Sequence, residues 1–366
     1  MILNDKIRER YTKEQFSARQ AQELALLYSW SPAVFQIARL MVDWGVLDAI
    51  DNSKDGLTVD EVMRITKRNR LSVCCLLEAS LTSSILLVNP ETDKYRLSKI
   101  GWFLLHDEMT RVNLRFNQAV NYRSFYHLDE SLMQEKPVGL KTLGMWNSIY
   151  EALCYLPYEV RNAWLDYDHF YSNNSYEVAI PYVLDNSPHT LLDVGGNTGE
   201  MALRCVSIDK NIKVTVCDLP QQIEMMYQAI AGKEGAERID GFAVNLLDEE
   251  VNFSQQYDVI WMSQFIMCFS EEQIDDILHC IIRAMHKNSV LYMMEVMWNQ
   301  QQYPAAAFCQ TMNSLYFVST ASGNNKMLSF DTLIAHIEKV GLRVMERHDQ
   351  IGIGGHTLLK LRKIIK

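Results

Sequence analysis

What this sequence does not contain narrows its role before any motif is read. No stretch reaches the ~20 consecutive apolar residues of a membrane-spanning helix. The N-terminal residues Met1 to Arg10 also lack the apolar run and small-residue end of a secretory signal. No membrane association is expected, and the chain is expected to be cytoplasmic. Positive charge is in short supply: 35 Lys and Arg stand against 45 Asp and Glu, a net charge of −10. Such a balance repels nucleic-acid phosphates, so no nucleic-acid partner is expected. The eight cysteines, Cys74, Cys75, Cys154, Cys205, Cys217, Cys268, Cys280 and Cys309, include no C-x-x-C pair and lie mostly in apolar stretches. They read as reduced core thiols, with no disulfide framework and no metal site. What is present is ordinary for globular domains: 48% hydrophobic and 22% charged residues over 366 positions, enough for two or three domains.

The first third of the chain reads as helical. Leu24, Leu27 and Tyr28, then Val34, Ile37, Leu40, Met41 and Trp44, recur at helical spacing between residues 12 and 50, and Ser31-Pro32 starts the second of two helices. Thr58-Val59-Asp60-Glu61 is a capping-box sequence opening a short helix to about Thr66. Residues 71–87 predict a longer helix, and Val88 to Leu97, with Asn89-Pro90 and Asp93 at its centre, predicts a hairpin. Helix, helix, hairpin is the winged-helix order. The second helix is apolar on most sides (Leu71, Val73, Cys74, Leu76, Leu77, Leu81), whereas a helix that reads DNA needs a polar, basic face. A buried or dimerising role is therefore expected. Residues 110–184 predict further helices, broken near Glu135-Lys136-Pro137 and Leu156-Pro157 and rich in aromatic residues. Rings at that density either fill a core or line a pocket for a flat ring.

From His189 the pattern changes to short β-branched runs alternating with helices. The runs are TLLDV, KVTVCD, a weak strand near Arg238 to Val244, YDVIWM, SVLYMMEV, Leu342 to Asp349 and His356 to Arg362. Strands separated by helices of ~10 to 15 residues imply a doubly wound, mostly parallel sheet of seven strands in an α/β fold. Only Ile351-Gly352-Ile353-Gly354-Gly355 separates the last two runs, too little for a helical crossover, so that pair should be antiparallel. The expected divisions are 1–105 (dimerisation), 106–184 (helical linker or cap) and 185–366 (ligand-binding domain).

Asp193-Val194-Gly195-Gly196-Asn197-Thr198-Gly199 leaves the first strand of that region and opens a helix, so the backbone can approach a ligand at a helix N-terminus. Asp218 ends the second strand, where a carboxylate can accept two hydrogen bonds from ribose hydroxyls. Asn197 interrupts the G-x-G-x-x-G pattern, and Asp193 would aim its charge at a pyrophosphate, so a nucleoside without phosphates fits better.

These motifs resemble those of class I S-adenosylmethionine-dependent methyltransferases. The chain from Leu24 to Lys360 is similar to the small-molecule O-methyltransferases that carry an N-terminal winged-helix dimerisation domain. The resemblance implies S-adenosylmethionine as cofactor, a homodimer, and an aromatic or polyketide-like acceptor. It implies that Asp193, Gly195 and Gly199 surround the cofactor, that Asp218 holds the ribose with Leu219 beside it also at the cofactor, and that Asn245 and Leu246 lie near the adenine. Where the family shows a Leu-His-Asp-Trp-Ser-Asp-Glu stretch, this sequence reads Ile266-Met267-Cys268-Phe269-Ser270-Glu271-Glu272. Met267 replaces the histidine that deprotonates the acceptor, a group that contributes about 10²- to 10⁴-fold. Ser263 stands where the family often has Lys and is counted among the expected cofactor-binding residues.

The candidates to compensate are Glu295, at the end of the fifth strand; Cys268, if a positive neighbour lowered its pKa; Asn313, on the next helix; and His169, before Phe170. The expected activity is methyl transfer to oxygen, with carbon or nitrogen as other acceptors. Two alternatives stay open: a methyltransferase-fold protein with altered or no transfer, and a winged-helix regulator that senses S-adenosylmethionine.

Overall fold

The computed structural model describes residues 3–248 and 250–364. The chain divides into two compact units: Glu14–Asn117 form one, and residues from Gln118 onward, with the segment up to Lys13, form the other. The first helix, α1 (Asp5–Thr12), belongs to the larger unit, where the Asn4 N–H donates to the Asn299 carbonyl at 2.8 Å.

The smaller unit runs α2 (Ala18–Ser29), α3 (Ser31–Asp43), α4 (Val46–Asp51), α5 (Val59–Thr66), α6 (Arg70–Thr82), β1 (Leu86–Asn89), β2 (Lys94–Leu97), α7 (Lys99–His106) and α8 (Glu108–Phe116). Residues 12–50 thus hold more than the two helices expected, because Gly45 takes a left-handed turn that stops α3 and starts α4. The capping box of α5 forms, with the Thr58 N–H donating to Glu61 Oε2 at 2.8 Å. Helix α6 ends short of Leu87. Ser84 adopts φ 63° after it, and Leu86 and Leu87 enter the antiparallel β1–β2 hairpin. Met41, Leu47, Ile50, Val62, Leu77 and Leu86 form the core of this unit.

The larger unit continues with α9 (Leu128–Gln134), α10 (Ile149–Ala152) and the long α11 (Tyr158–Val183). Then come β3 (Thr190–Val194), α12 (Glu200–Ile208), β4 (Lys213–Asp218), α13 (Pro220–Ile230), β5 (Ile239–Ala243), β6 (Tyr257–Ser263) and α14 (Glu271–Arg283). The chain closes with β7 (Met285–Glu295), α15 (Pro304–Tyr316), α16 (Phe330–Lys339), β8 (Leu342–Ile351) and β9 (His356–Lys363). The seven-stranded sheet has the order β5-β4-β3-β6-β7-β9-β8, with β9 antiparallel to both of its neighbours and the other pairs parallel.

Because side chains alternate along a strand, each strand feeds two cores. Leu192, Val194, Ile260, Met262, Leu291 and Met293 pack beneath α14 and α16. Leu191, Val214, Val216, Val259, Trp261 and Met294 pack beneath α11, α12 and α13. The unit boundaries therefore differ from those expected. The break falls after 117 instead of 105, and residues 118–184 share a unit with the sheet, because α11 buries Ala179, Ile180 and Val183 against its strands.

Trp261 is 1% exposed on the central strand β6 and is among the largest fully buried side chains. Trp261→Ala should lower unfolding free energy by about 3 to 5 kcal/mol, read from denaturant titrations. A loss below about 1 kcal/mol would contradict the packing described.

Candidate active site

The glycine loop leaves β3 as the sequence indicates. Gly195 turns with φ +70°, and its N–H donates to the Cys217 carbonyl of β4 at 2.8 Å. A Cβ on Gly195 would meet the Phe265 ring at 2.3 Å, so the loop packs directly on the segment after β6. Gly199, with φ +77°, caps α12, and a Cβ there would lie 2.9 Å from Met226. Between them Asn197, with φ 49°, donates its N–H to Asp218 Oδ2 at 3.0 Å. Asp218 Oδ1 accepts from the Leu219 N–H at 2.8 Å, and its backbone carbonyl accepts from the Val244 N–H. The next two residues are Asn245 and Leu246. Asn245 is exposed and its Oδ1 accepts from the Leu247 N–H at 3.1 Å, while Leu246 is buried beside Val194 and Cys217.

Four carboxyl groups gather here with no Lys or Arg acting on any of them among the described residues. Burial, and then the charge of Asp218, pushes the Asp193 carboxyl up to about 7. Burial raises Asp218 to about 6, against the Leu219 and Asn197 amides that favour its charged form. Burial likewise pushes Glu295 up to about 8, although the Ile266 and Phe265 amides oppose it. Burial raises Asp168 of α11, opposed by the neighbouring His169 and by Asn197.

The segment after β6 carries Met267. Glu295 Oε1 accepts from both the Phe265 and Ile266 N–H groups at 3.0 Å, so it holds this loop through the backbone. From the other side the Asn325 side-chain amide donates to the Met267 carbonyl, and the Ser322 hydroxyl donates to the Cys268 carbonyl at 3.3 Å. The Met267 thioether is 5% exposed. Among the described residues no Lys or Arg acts on Cys268; burial pushes its thiol up to about 12, and the charges of Glu295, Asp168 and Asp218 act in the same direction. The thiolate role considered for Cys268 therefore has no support. The Cys268 thiol donates to the Gln264 carbonyl at 3.6 Å, and close to it Tyr150 packs edge-on to Trp164, whose indole N–H donates to the Tyr316 hydroxyl at 2.7 Å.

Asn313 lies apart from this loop's hydrogen bonds: its amide turns to the Met327 sulfur at 3.8 Å. The buried Ser263 hydroxyl has no partner among the described residues. His169 faces the glycine loop, its Nε2 3.4 Å from Thr198 Oγ1. No sequence signal marks Asn325 and Ser322, which reach this site from distant segments, whereas Tyr150 is one of the aromatic residues of 110–184 expected in a core or a ring pocket. Sequence reading also passed over Asp168, although an acidic residue in the aromatic stretch Trp164 to Tyr171 was a usable signal.

Residues 19–95 match the Dimerisation2-like domain, and residues 178–335 match the O-methyltransferase domain. The chain thus carries an O-methyltransferase domain together with a Dimerisation2-like domain. Over 107 residues it is 27% identical to O-methyltransferase FrzF of Cladobotryum sp, an alignment covering 29% of this chain and 24% of that protein. The chain thus spans about a quarter of the length of this curated relative. The structure of the mitomycin 7-O-methyltransferase MmcR is 18% identical with a TM-score of 0.71, covering 95% of this chain and 98% of that one. Human N-acetylserotonin methyltransferase, solved in complex with SAM, is 17% identical with a TM-score of 0.66, covering 97% and 99%. These two likenesses establish the O-methyltransferase fold.

The residues of this O-methyltransferase domain fit a cationic nucleoside cofactor. The Asp193 Oδ2, Asn197 Oδ1 and Glu295 Oε2 atoms are buried without a partner among the described residues, and the surrounding carboxyls have no Lys or Arg to neutralise them. The charge also sets a pH dependence. The Asp193 proton leaves at about 7 in the folded chain but near ~3.9 when unfolded, so the folded chain binds more protons between those values. This contribution to stability is greatest at the acid end and is lost as pH rises toward about 7. Asp193→Asn should flatten the fall in the urea midpoint between about pH 4.5 and 7.5. Parallel profiles for wild type and variant would contradict the assignment.

Proposed function

We infer that the chain transfers the sulfonium methyl of S-adenosylmethionine to an oxygen of an aromatic small molecule that arrives already ionised, and that it works as a homodimer. The carrying observation is the loop from Phe265 to Cys268: its Phe265 ring packs against Gly195 of the glycine loop, Glu295 holds its Phe265 and Ile266 amides, and Tyr150 of the ring-rich segment lies close to Cys268 at its far end. When bound, the cofactor supplies a methyl on a positively charged sulfur, already a strong electrophile. The chain's own residues then have to hold and orient. Asp218 would receive the ribose hydroxyls, Leu246 would flank the adenine, and Tyr150, Trp164 and Tyr316 would pack against the acceptor ring.

No side chain of the Met267 loop is suited to take a proton near neutral pH. Met267 offers a thioether, the Cys268 thiol is pushed up to about 12, and burial raises the Tyr150 and Tyr316 hydroxyls beyond their ordinary value. Glu295, raised to about 8, is mostly protonated at pH 7 and spends one oxygen on the Phe265 and Ile266 amides. An acceptor with its own low pKa needs no base, which supports an acidic phenol or a carboxylate.

Dimerisation is supported by the Dimerisation2-like match and by the apolar side chains that the smaller unit leaves exposed, among them Tyr28, Trp30 and Leu71. The missing base also supports a second reading, in which the fold keeps the cofactor and transfers nothing.

A panel of phenols spanning a range of pKa values, assayed near pH 7 with labelled S-adenosylmethionine, tests the first reading. Wild type should methylate the acidic members and leave phenols of pKa ~10 nearly untouched. Met267→His should raise the rate on the weakly acidic phenols by about 10²-fold if the ring finds an orienting partner. A wild-type rate independent of acceptor ionisation would contradict an ionised acceptor. Intact cofactor binding with no transfer to any member would favour the second reading.

A further inference from the structure

Asp168 has no part in holding ribose, adenine or the Met267 loop, yet its carboxylate reaches the glycine loop. Asp168 Oδ2 lies 3.4 Å from Asn197 Nδ2, while the Asn197 backbone N–H donates to Asp218 Oδ2 at 3.0 Å. One residue of the loop therefore links two carboxylates that arrive from different elements, α11 and β4. The side chain beside Asp168, His169, turns to the next loop residue, Thr198. Two consecutive residues of α11 thus meet two consecutive residues of the loop.

Beneath the same turn lies a carboxylate oxygen with nothing bound to it. Asp193 is 1% exposed and its Oδ2 has no partner among the described residues. A Cβ on Gly196 would come within 2.7 Å of that oxygen, so it points at the loop backbone that Asp168 approaches from α11. The Asn197 Oδ1 atom is also buried without a partner. Asp168 is half-buried, and a carboxylate partly withdrawn from water is stabilised by a cation or by several hydrogen bonds. Among the described residues Asp168 has one long bond, to Asn197, and no Lys or Arg acts on it. A neutral or anionic ligand would leave this charge uncompensated. A ligand with a nucleoside at Asp218 and a positive group one loop residue away would complete it.

We propose that Asp168, oriented by the Asn197 side-chain amide, receives the ammonium of the cofactor's amino-acid end. This assignment rests on the cofactor reading above and adds a binding residue from α11. It requires discrimination between ligands that carry the amino-acid end and ligands that stop at the thioether.

The test is calorimetric titration of the full-length chain with S-adenosylhomocysteine and with 5′-methylthioadenosine, which shares the nucleoside and thioether but lacks the ammonium. Asp168→Asn should weaken S-adenosylhomocysteine by ~10- to 100-fold, the loss of one charge-assisted contact, and 5′-methylthioadenosine by less than about twofold. Asp168→Glu, which keeps the charge, should recover part of the loss. Equal weakening of both ligands, or of neither, would overturn the Asp168 assignment and leave the cofactor reading standing. If wild type bound neither ligand, the cofactor reading would fall and the assignment with it. Should Asp168→Asn not fold, the S-adenosylhomocysteine analogue with hydrogen in place of the amino group must bind wild type ~10-fold more weakly than the parent. Equal affinity would overturn the proposal.

Discussion

The hydrogen bond from the Asn197 N–H to Asp218 fixes the relation between two neighbouring strands at the end where a ligand can approach. It requires a left-handed residue in the loop after β3 and a carboxylate at the last position of β4. Both arise from simple sequence choices. Asn tolerates positive φ better than other non-glycine residues, and Gly195 and Gly199 supply the turns on either side. Parallel pairing of β3 with β4 brings Val194 opposite Cys217, so Asp218 emerges one residue beyond the paired strands and beside the loop. This is the carboxyl end of an open parallel sheet, where a strand-order reversal opens a crevice. Here the order reverses at β3, which lies between β4 and β6.

The same geometry concentrates negative charge in a place poor in water. Asp193, Asp218 and Glu295 are all shifted upward by burial, and the fold provides no lysine or arginine beside them among the described residues. Such an arrangement destabilises the empty site at higher pH and favours a positively charged occupant. Glu295 fixes the backbone of the loop carrying Met267, and Asn325 and Ser322 hold the same loop through its Met267 and Cys268 carbonyls. The loop is thus held in position although its side chains offer no base.

Local signals were legible because local physics produced them. The Thr58–Glu61 capping box, Pro32 in the first turn of α3, the break before Tyr158 and every strand of the large sheet follow from residues within a turn or two of each other. The end of α6 was not, because Leu86 and Leu87 continue an apolar run that suits a helix or a buried strand equally well. The contacts of the Met267 loop were hidden for a different reason. Asn325 and Ser322 lie more than fifty positions away along the chain, and only the packed fold brings them to the Met267 and Cys268 carbonyls. The site motif Asp193 to Gly199 was visible as a loop, but the role of Asn197 as a bridge was not. In the sequence it looked like an interruption of a glycine pattern.

The central claim is that this fold binds a nucleoside cofactor through the carboxylate that Asn197 positions. Calorimetric titration with S-adenosylhomocysteine of wild type and Asp218→Ala, each checked for native thermal unfolding, tests it most directly. The expected result is measurable wild-type binding and a loss of ~30- to 1000-fold in the variant, corresponding to about 2 to 4 kcal/mol for two hydrogen bonds to a charged group. Unchanged affinity in folded Asp218→Ala would contradict the claim.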